Sequence, residues 1–391
     1  MIYLDNAATT FPKPPAVRRE VERCLRDYCG NPGRSAHKLS LAAAEAVYDC
    51  RLEAAELFGI SSPERIIFTY NTTYALNIAI KGLLRRGDHV LISDMEHNAV
   101  LRPVHRLAEL GEISYDIFPT GCADPLGSTE DILVALRRLL RPNTRMLITA
   151  HIPNLCSAVM PLDALGRFCR ENKLLFVVDA AQSAGIEHID CAQMQIDALC
   201  VPGHKGLYGP QGSGILALGN DLTMATLIEG GSGVHSLDAA MPEFPPERYE
   251  AGTLATPTLA GLCAGIKFVR ERGTEQIKKQ EQMLYLRLRE QLLNTDGITV
   301  YAPHHVGSTL LFNVDGIPSA DAATLLDRHD IYLRAGFHCA PLGHKTLGTG
   351  ENGALRVGFS VFNQSTDVNA LVWAVRQMRR EYGRNAKETP R

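Results

Sequence analysis

The stretch Leu174-Leu175-Phe176-Val177-Val178-Asp179 decides the fold. Five apolar residues run without alternation and end on a carboxylate. A strand with one wet face alternates apolar and polar side chains. An unbroken run of this length suits a strand covered on both faces, as in parallel sheets flanked by helices. Neighbouring segments repeat the theme. Arg65–Thr69, His89–Ser93, Ile113–Phe118, Arg145–Ala150 and Ala198–Val201 read as further strands. Thr73–Leu84, Val100–Leu110, Thr129–Leu140 and Leu162–Glu171 read as the helices between them. This alternation predicts an α/β fold with a mostly parallel sheet.

The rhythm changes after about Gly252. Glu275–Leu293 is a long amphipathic helix, followed by short strands near Ile298–Tyr301, Ser308–Val314 and Ile331–Arg334. A last amphipathic helix covers Val368–Tyr382, and the polar tail Gly383–Arg391 is expected to fray. The expected organisation is an N-terminal segment (1–15), a large domain (16–255) and a smaller α+β domain (256–391), with the junction at Thr253–Pro257. A length of 391 residues suits two domains.

Composition excludes several classes. Hydrophobic residues are 45% and charged residues 21%, an ordinary soluble balance. A formal net charge of −3 gives no argument for nucleic acid or a membrane surface. Met1–Asn6 has no basic stretch before an apolar core and does not read as a signal peptide. No apolar run reaches the roughly 18 residues of a membrane span. Ten cysteines occur without CxxC pairs. Neither a disulfide framework nor a metal site is expected, and a reducing cytoplasm is the natural location.

Several residues stand where chemistry is done. Asp179 ends a buried strand, at the edge where open α/β sheets bind ligands. A carboxylate there can pair with a protonated ring nitrogen, or cap the next helix. Asn71-Thr72-Thr73 opens a helix after a strand, which suits either a phosphate or a plain cap. His97 can stack on an aromatic cofactor or move protons, or simply make a local hydrogen bond. Lys205 lies between Gly203 and Gly206, whose missing side chains let the backbone approach a ligand. A lysine in such a site can attack an aldehyde; the alternative is a surface lysine in a turn. Cys339 follows His338 and lies five residues after Arg334, and nearby positive charge favours a thiolate. With ten cysteines present, an inert thiol is the competing reading. Arg356 can hold an α-carboxylate through its planar fork, or lie on a strand surface.

The order of these signals is more specific than any one of them. Tyr3-Leu4-Asp5-Asn6-Ala7-Ala8-Thr9-Thr10, Asn71-Thr72-Thr73, Met95-Glu96-His97, Asp179-Ala180-Ala181-Gln182, Gly203-His204-Lys205, Glu250-Ala251-Gly252-Thr253 and Arg334–Pro341 occur in sequence. Together they resemble the class V aminotransferase-like cysteine desulfurases and selenocysteine lyases, from near residue 2 to about residue 380. The resemblance implies a fold type I enzyme dependent on pyridoxal 5'-phosphate, with a mostly parallel seven-stranded sheet, working as a homodimer. It further implies that Lys205 carries the cofactor aldehyde as a Schiff base and that Asp179 pairs with the pyridine nitrogen. Gln182 would contact the phenolic oxygen, and His97 would stack on the ring. Thr72, Thr73 and His204 would hold the phosphate, with Thr253 reaching in from the partner subunit. Asn154, Arg334 and Arg356 would bind the substrate carboxylate region, and Cys339 would accept sulfur.

The implied reaction removes sulfur or selenium from L-cysteine or L-selenocysteine and leaves L-alanine, with an acceptor protein for the released atom. Another cofactor-dependent reaction on the same fold, such as transamination, would not need Cys339. A non-catalytic role would leave Lys205 without a purpose. The chain departs from the family pattern at Pro153 and Ser157, where serine and glycine are usual. Asn71, Tyr74 and Phe337 also differ, standing for glycine, glutamate and histidine. Proline fixes φ and removes a donor, so the loop beside Asn154 is expected to be reshaped. Pro153, Ser157 and Phe337 are where rejection of cysteine would reside in a selenocysteine enzyme.

Overall fold

The structure, a computed structural model, describes residues 1–33, 36–219 and 222–388. Its strands, in chain order, are β1 (Ile2–Tyr3), β2 (Ile66–Thr69), β3 (His89–Ser93), β4 (Ser114–Phe118), β5 (Thr144–Ala150), β6 (Leu175–Asp179) and β7 (Ala198–Pro202). They continue with β8 (Gly214–Leu218), β9 (Ile298–Tyr301), β10 (Thr309–Val314), β11 (Ile331–Tyr332), β12 (Arg334–Gly336) and β13 (Ala354–Gly358).

Seven of them form one sheet in the order β2-β8-β7-β6-β5-β3-β4. Only β8 runs against its neighbours. The sequence reading finds every parallel strand and misses β8, which follows a glycine-rich stretch read as a turn. Val177, Val178, Leu199 and Cys200 are fully buried, as the unbroken apolar runs require. One face packs under Phe58, Leu165 and Phe168 and the other under Leu76, Ile80 and Val104.

Among the helices that the sequence reading leaves out are Pro15–Arg23, Lys38–Leu57 and Thr256–Arg272. They pack on one another through small side chains. Ala43, Ala54, Gly261 and Gly265 are among the buried ones. An apolar face built from alanine and glycine gives a weak periodic signal.

The second sheet is antiparallel, β12-β13-β10-β9. Helices Thr274–Leu293 and Ser365–Glu388 cover it through Leu284, Leu288, Leu371 and Val375. The last helix runs further than the expected Val368–Tyr382, into the stretch expected to fray, and residues 389–391 lie outside the described residues. The single strand expected at Ile331–Arg334 is two. β11 pairs with β1 and β12 pairs with β13, with Leu333 between them. Among the described residues no helix is long and apolar enough to cross a membrane.

The N-terminal segment joins both halves. β1 lies parallel to β11, and Asp5 bridges to Gly358 in the smaller sheet. A few residues on, Thr10 N–H donates to the His204 carbonyl at 3.1 Å, and Gln182 Nε2 donates to the Ala7 carbonyl at 2.9 Å. The parallel strands end beside this segment, which fixes where a ligand enters.

Candidate active site

One cleft collects the expected site residues. Thr72, Thr73, His97, Asp179, Gln182, His204 and Lys205 line the side of it that is built on the seven-stranded sheet. Asn154, Arg334, Cys339 and Arg356 line it with them. Thr253 is absent from this lining. It borders an apolar pocket with Tyr70, Tyr74, Leu227 and Ile228 instead.

Each residue on the side of the seven-stranded sheet lies at or after the end of a strand. Asn71 is the helix cap: its side-chain oxygen accepts from Tyr74 N–H at 3.0 Å. Thr72 is therefore free of that duty, and its Oγ1 is buried without a partner. Asp179 Oδ1 accepts from Ala181 N–H at 2.9 Å, but turns follow rather than a helix. Burial pushes the Asp179 carboxyl up to about 6, against the pull of the Ala181 N–H and the Lys205 charge. His97 caps the helix Asn98–Glu109, and its Nδ1 accepts from Ala99 N–H at 3.0 Å. That bond leaves the proton on Nε2. Burial, with Lys205 and Arg356 nearby, lowers the His97 pKa to about 4, so the ring is neutral at pH 7.

Lys205 is half-buried on the loop after β7. Burial is the main cause lowering its pKa to about 8, and Arg356 and Arg334 add to it against Asp179 and Asp5. The flanking glycines act otherwise than the sequence reading supposes. A Cβ on Gly206 would lie 2.2 Å from the Ala184 carbonyl oxygen, and one on Gly203 would lie 2.1 Å from Ser213 Oγ. They let the lysine loop close onto the protein rather than onto a ligand. The peptide ahead of Lys205 is also held: Lys13 Nζ and Thr9 Oγ1 donate to the His204 carbonyl at 2.7 and 3.1 Å.

The opposite wall is built on β12, β13 and the loop between Gly336 and Pro341. His338 and Cys339 adopt left-handed backbone, with φ 49° and 56°. Such conformations cost energy in side-chain-bearing residues and persist only where the surroundings impose them. Asn154 Nδ2 donates to the His338 carbonyl at 2.7 Å, and Asn98 N–H donates to the Cys339 carbonyl at 2.7 Å. The His338 ring stacks on His344, with Nδ1 3.1 Å from His344 Nε2, and His344 Nδ1 lies 2.7 Å from Thr349 Oγ1. Cys339 itself is exposed, whereas eight of the ten cysteines are buried.

Sequence reasoning gave several neighbours no role. Asp5 accepts from Arg356 and forms an ion pair with Arg334, each contact at 3.1 Å. Glu96 is fully buried and accepts from Ser93 Oγ and from Ala150 N–H. Burial raises its pKa to about 8. Arg51 and Glu250 form a buried ion pair, in which Glu250 also accepts from Phe68 N–H. This pair fixes the start of the segment that carries Thr253. Asp5 and Glu250 lie inside quoted motifs, so the order of motifs is the signal that would have found them.

Of the departures from the family pattern, Asn71 lines the cleft as the helix cap, and Pro153, Ser157, Tyr74 and Phe337 lie outside its lining. Ser157 Oγ donates to the Thr309 carbonyl at 2.9 Å and accepts from Thr309 N–H at 3.1 Å. It ties its loop to β10, and the missing side chain of Gly307 leaves it room. Tyr74 lines the apolar pocket, Phe337 is exposed, and Pro153, Ser157 and Phe337 are not among the cleft's lining residues.

The polar inventory fits pyridoxal phosphate. Among the described residues Thr72 Oγ1, His204 Nδ1, Asn154 Oδ1 and Arg356 Nε are buried and unpartnered. They lie around a lysine and a carboxylate that share the cleft. Such groups are costly unless something bonds to them.

Comparison with known proteins agrees with this geometry. A cysteine desulfurase from Thermococcus onnurineus NA1 superposes with a TM-score of 0.87 at 29% identity, covering 97% of this chain and 95% of that one. The cysteine desulfurase CsdA from Escherichia coli gives 0.85 at 28% identity, over 97% and 94% of the two chains. A probable cysteine desulfurase from Methanothermobacter thermautotrophicus is 33% identical, covering 95% of this chain and 92% of its own. The fold is therefore that of the type I pyridoxal phosphate enzymes. With the aminotransferase class-V family matching residues 2–371, the chain belongs to that family.

Proposed function

We propose that this protein is a pyridoxal phosphate-dependent cysteine desulfurase, which takes sulfur from L-cysteine and leaves L-alanine. The observation that carries the reading is that Lys205, Asp179, Arg356 and Cys339 line a single cleft. Relatives matched over more than nine-tenths of both chains are named probable cysteine desulfurase, which supports the reading.

When bound, the cofactor supplies an aldehyde to hold the substrate amine and a ring that accepts electrons from its α-carbon. Lys205 would hold that aldehyde between turnovers, and Asp179 would face the ring nitrogen. Gln182 would meet the phenolic oxygen, and the neutral His97 ring would lie against the cofactor ring. Thr72, Thr73 and His204 would hold the phosphate.

Arg356 binds the substrate carboxylate in this reading, with Arg334 and Asn154 beside it. Lys205 Nζ, freed by the incoming amine, takes the α-proton; a pKa near 8 leaves it able to do so near neutrality. Cys339 Sγ, as thiolate, attacks the substrate sulfur. The Cβ–S bond breaks, Cβ gains a proton, and Cys339 is left as a persulfide, so one cysteine and one thiol become one alanine and one persulfide. An acceptor protein then takes the outer sulfur from the exposed loop.

A homodimer completes the proposal. Thr253 would enter the partner's phosphate site, and the apolar pocket beside exposed Tyr70 and Ile228 supports an interface on that face. Ten free thiols support a reducing cytoplasm.

L-Selenocysteine is nearly isosteric with cysteine, and shape discriminates such pairs poorly. The two substrates are therefore compared directly. Alanine release is measured for the cofactor-loaded protein with each amino acid under reducing conditions. Release from L-cysteine, abolished in Lys205→Ala and lost with the persulfide in Cys339→Ala, is the expected result. Release from L-selenocysteine alone would replace the desulfurase reading with a selenium-specific lyase.

A further inference from the structure

We propose that Asp5 is a positioning residue for substrate recognition: its carboxylate holds Arg334 and Arg356 together as a preset fork for the α-carboxylate of a small amino acid. The inference rests on the desulfurase reading for its substrate and on the structure for its geometry.

The two guanidinium groups come from adjacent strands. Arg334 on β12 and Arg356 on β13 are directly paired in register. Both line the cleft that holds Lys205, so three cationic side chains meet there, while one amino acid brings one carboxylate. Asp5 is not among the lining residues. It places one oxygen 3.1 Å from Arg356 Nη2 and the other 3.1 Å from Arg334 Nη2. One carboxylate therefore bridges two forks from outside the space that the substrate would fill.

The donor inventory of Arg356 shows what remains for a ligand. Nη2 goes to Asp5 and Nη1 goes to the Asn154 carbonyl at 3.1 Å. Nε is buried and has no partner. A guanidinium pinned on two edges keeps its plane, and the unpaired N–H is left for an anion. Asp5 is itself fixed. Its carbonyl accepts from Ala8 N–H at 3.0 Å and from Tyr3 Oη at 3.4 Å, and its backbone bridges to Gly358, two residues beyond Arg356. The N-terminal segment thus presents a carboxylate at a set distance from the strand that it braces.

Two effects of removing Asp5 oppose each other. Losing its charge makes the cleft more positive, which favours any carboxylate. Losing its bonds lets two like-charged side chains separate and rotate, which removes the fork. The proposal states that the second effect wins.

The test is Asp5→Asn in the cofactor-loaded, full-length protein, with two readouts. One is the KM and kcat for L-cysteine. The other is calorimetric binding of 3-mercaptopropionate, which keeps the carboxylate and thiol but has no amine to react. KM and the 3-mercaptopropionate Kd are both expected to rise about tenfold, with kcat within about twofold, since each tenfold step is about 1.4 kcal/mol. Asp5→Glu, which keeps the charge but moves it, is expected to give an intermediate rise, and it carries the test if Asp5→Asn does not fold. An unchanged or lowered Kd and KM, or a fall in kcat alone, overturns the proposal. So does failure of the wild type to bind 3-mercaptopropionate. If the wild type binds that probe through Asp5 but releases no alanine from L-cysteine, the desulfurase reading fails and the carboxylate fork stands.

Discussion

The two walls of the cleft are built differently. The wall that carries Asp179 and Lys205 hangs from the ends of fully buried parallel strands, with glycines packed too tightly for any side chain. The wall that carries Cys339 is a short antiparallel sheet and a loop in left-handed backbone. Single contacts from Asn154 and Asn98 hold that loop's carbonyls. The rigid wall suits a cofactor that stays. In the proposed reaction, the lightly tethered wall suits a sulfur that would move from the substrate to Cys339 and then to an acceptor.

The contrast is broken most severely at Asp179. Asp179→Ala removes the carboxylate from the rigid wall, and alanine release is expected to fall to background with loss of the cofactor's visible absorption. If release survives, the rigid wall does not define the cofactor site. Lys205 sharpens the same side. Only its free amine attacks an aldehyde, so the rate at which cofactor-free protein captures pyridoxal phosphate rises with pH. It is expected to level off above about 8, because the pKa is lowered from 10.5 to about 8. A rate still climbing above pH 9 would place the lysine in open solvent.

Smaller effects belong to the other wall. Asn154→Ala removes the donor to the His338 carbonyl. A hydrogen bond of this kind contributes about 1 kcal/mol net, and more when the partner stays buried, so kcat/KM is expected to fall about tenfold with the cofactor spectrum intact. Loss of the cofactor band would show that Asn154 serves the rigid wall instead. Ser157→Ala cuts the two bonds to Thr309 at about 1 kcal/mol, a lowering of the melting temperature by about 3 °C. Substrate preference is expected to stay the same, because Ser157 is not in the cleft lining. A changed ratio of selenocysteine to cysteine turnover would tie preference to this loop after all.

The same contrast explains what was legible in the sequence. Leu174–Asp179 announces a doubly covered strand because its five residues before the carboxylate are all apolar, and the parallel strands follow from the same rule. Lys205 and Asp179 are legible because they stand where such strands end. β8 is not, because its pairing is set by a reversal of the chain through glycines rather than by a helix crossover. Arg356 is ambiguous alone; only folding reveals that it is buried and shares Asp5 with Arg334. Cys339 differs from the eight buried cysteines by exposure and from exposed Cys29 by its left-handed backbone, neither of which has a residue-level signature. Its role is readable only from the order of motifs along the chain. Ser157 reads only as a departure from the family's usual glycine until Gly307 is seen to make space for it.

The N-terminal segment has a consequence for how the chain is assembled. β1 has no partner until β11 exists, and Asp5 has no bridge until Gly358 does. Contacts of such long sequence separation form late, because closing the intervening loop costs entropy before any bond is gained. On a growing chain the rigid wall can be complete, with Ala7, Thr9 and Thr10 already bonded to it, while residues 2–6 still lack the strands that they pair with. On the proposed reading, the site becomes competent to recognise a substrate only when Asp5 meets the strands that carry Arg334 and Arg356.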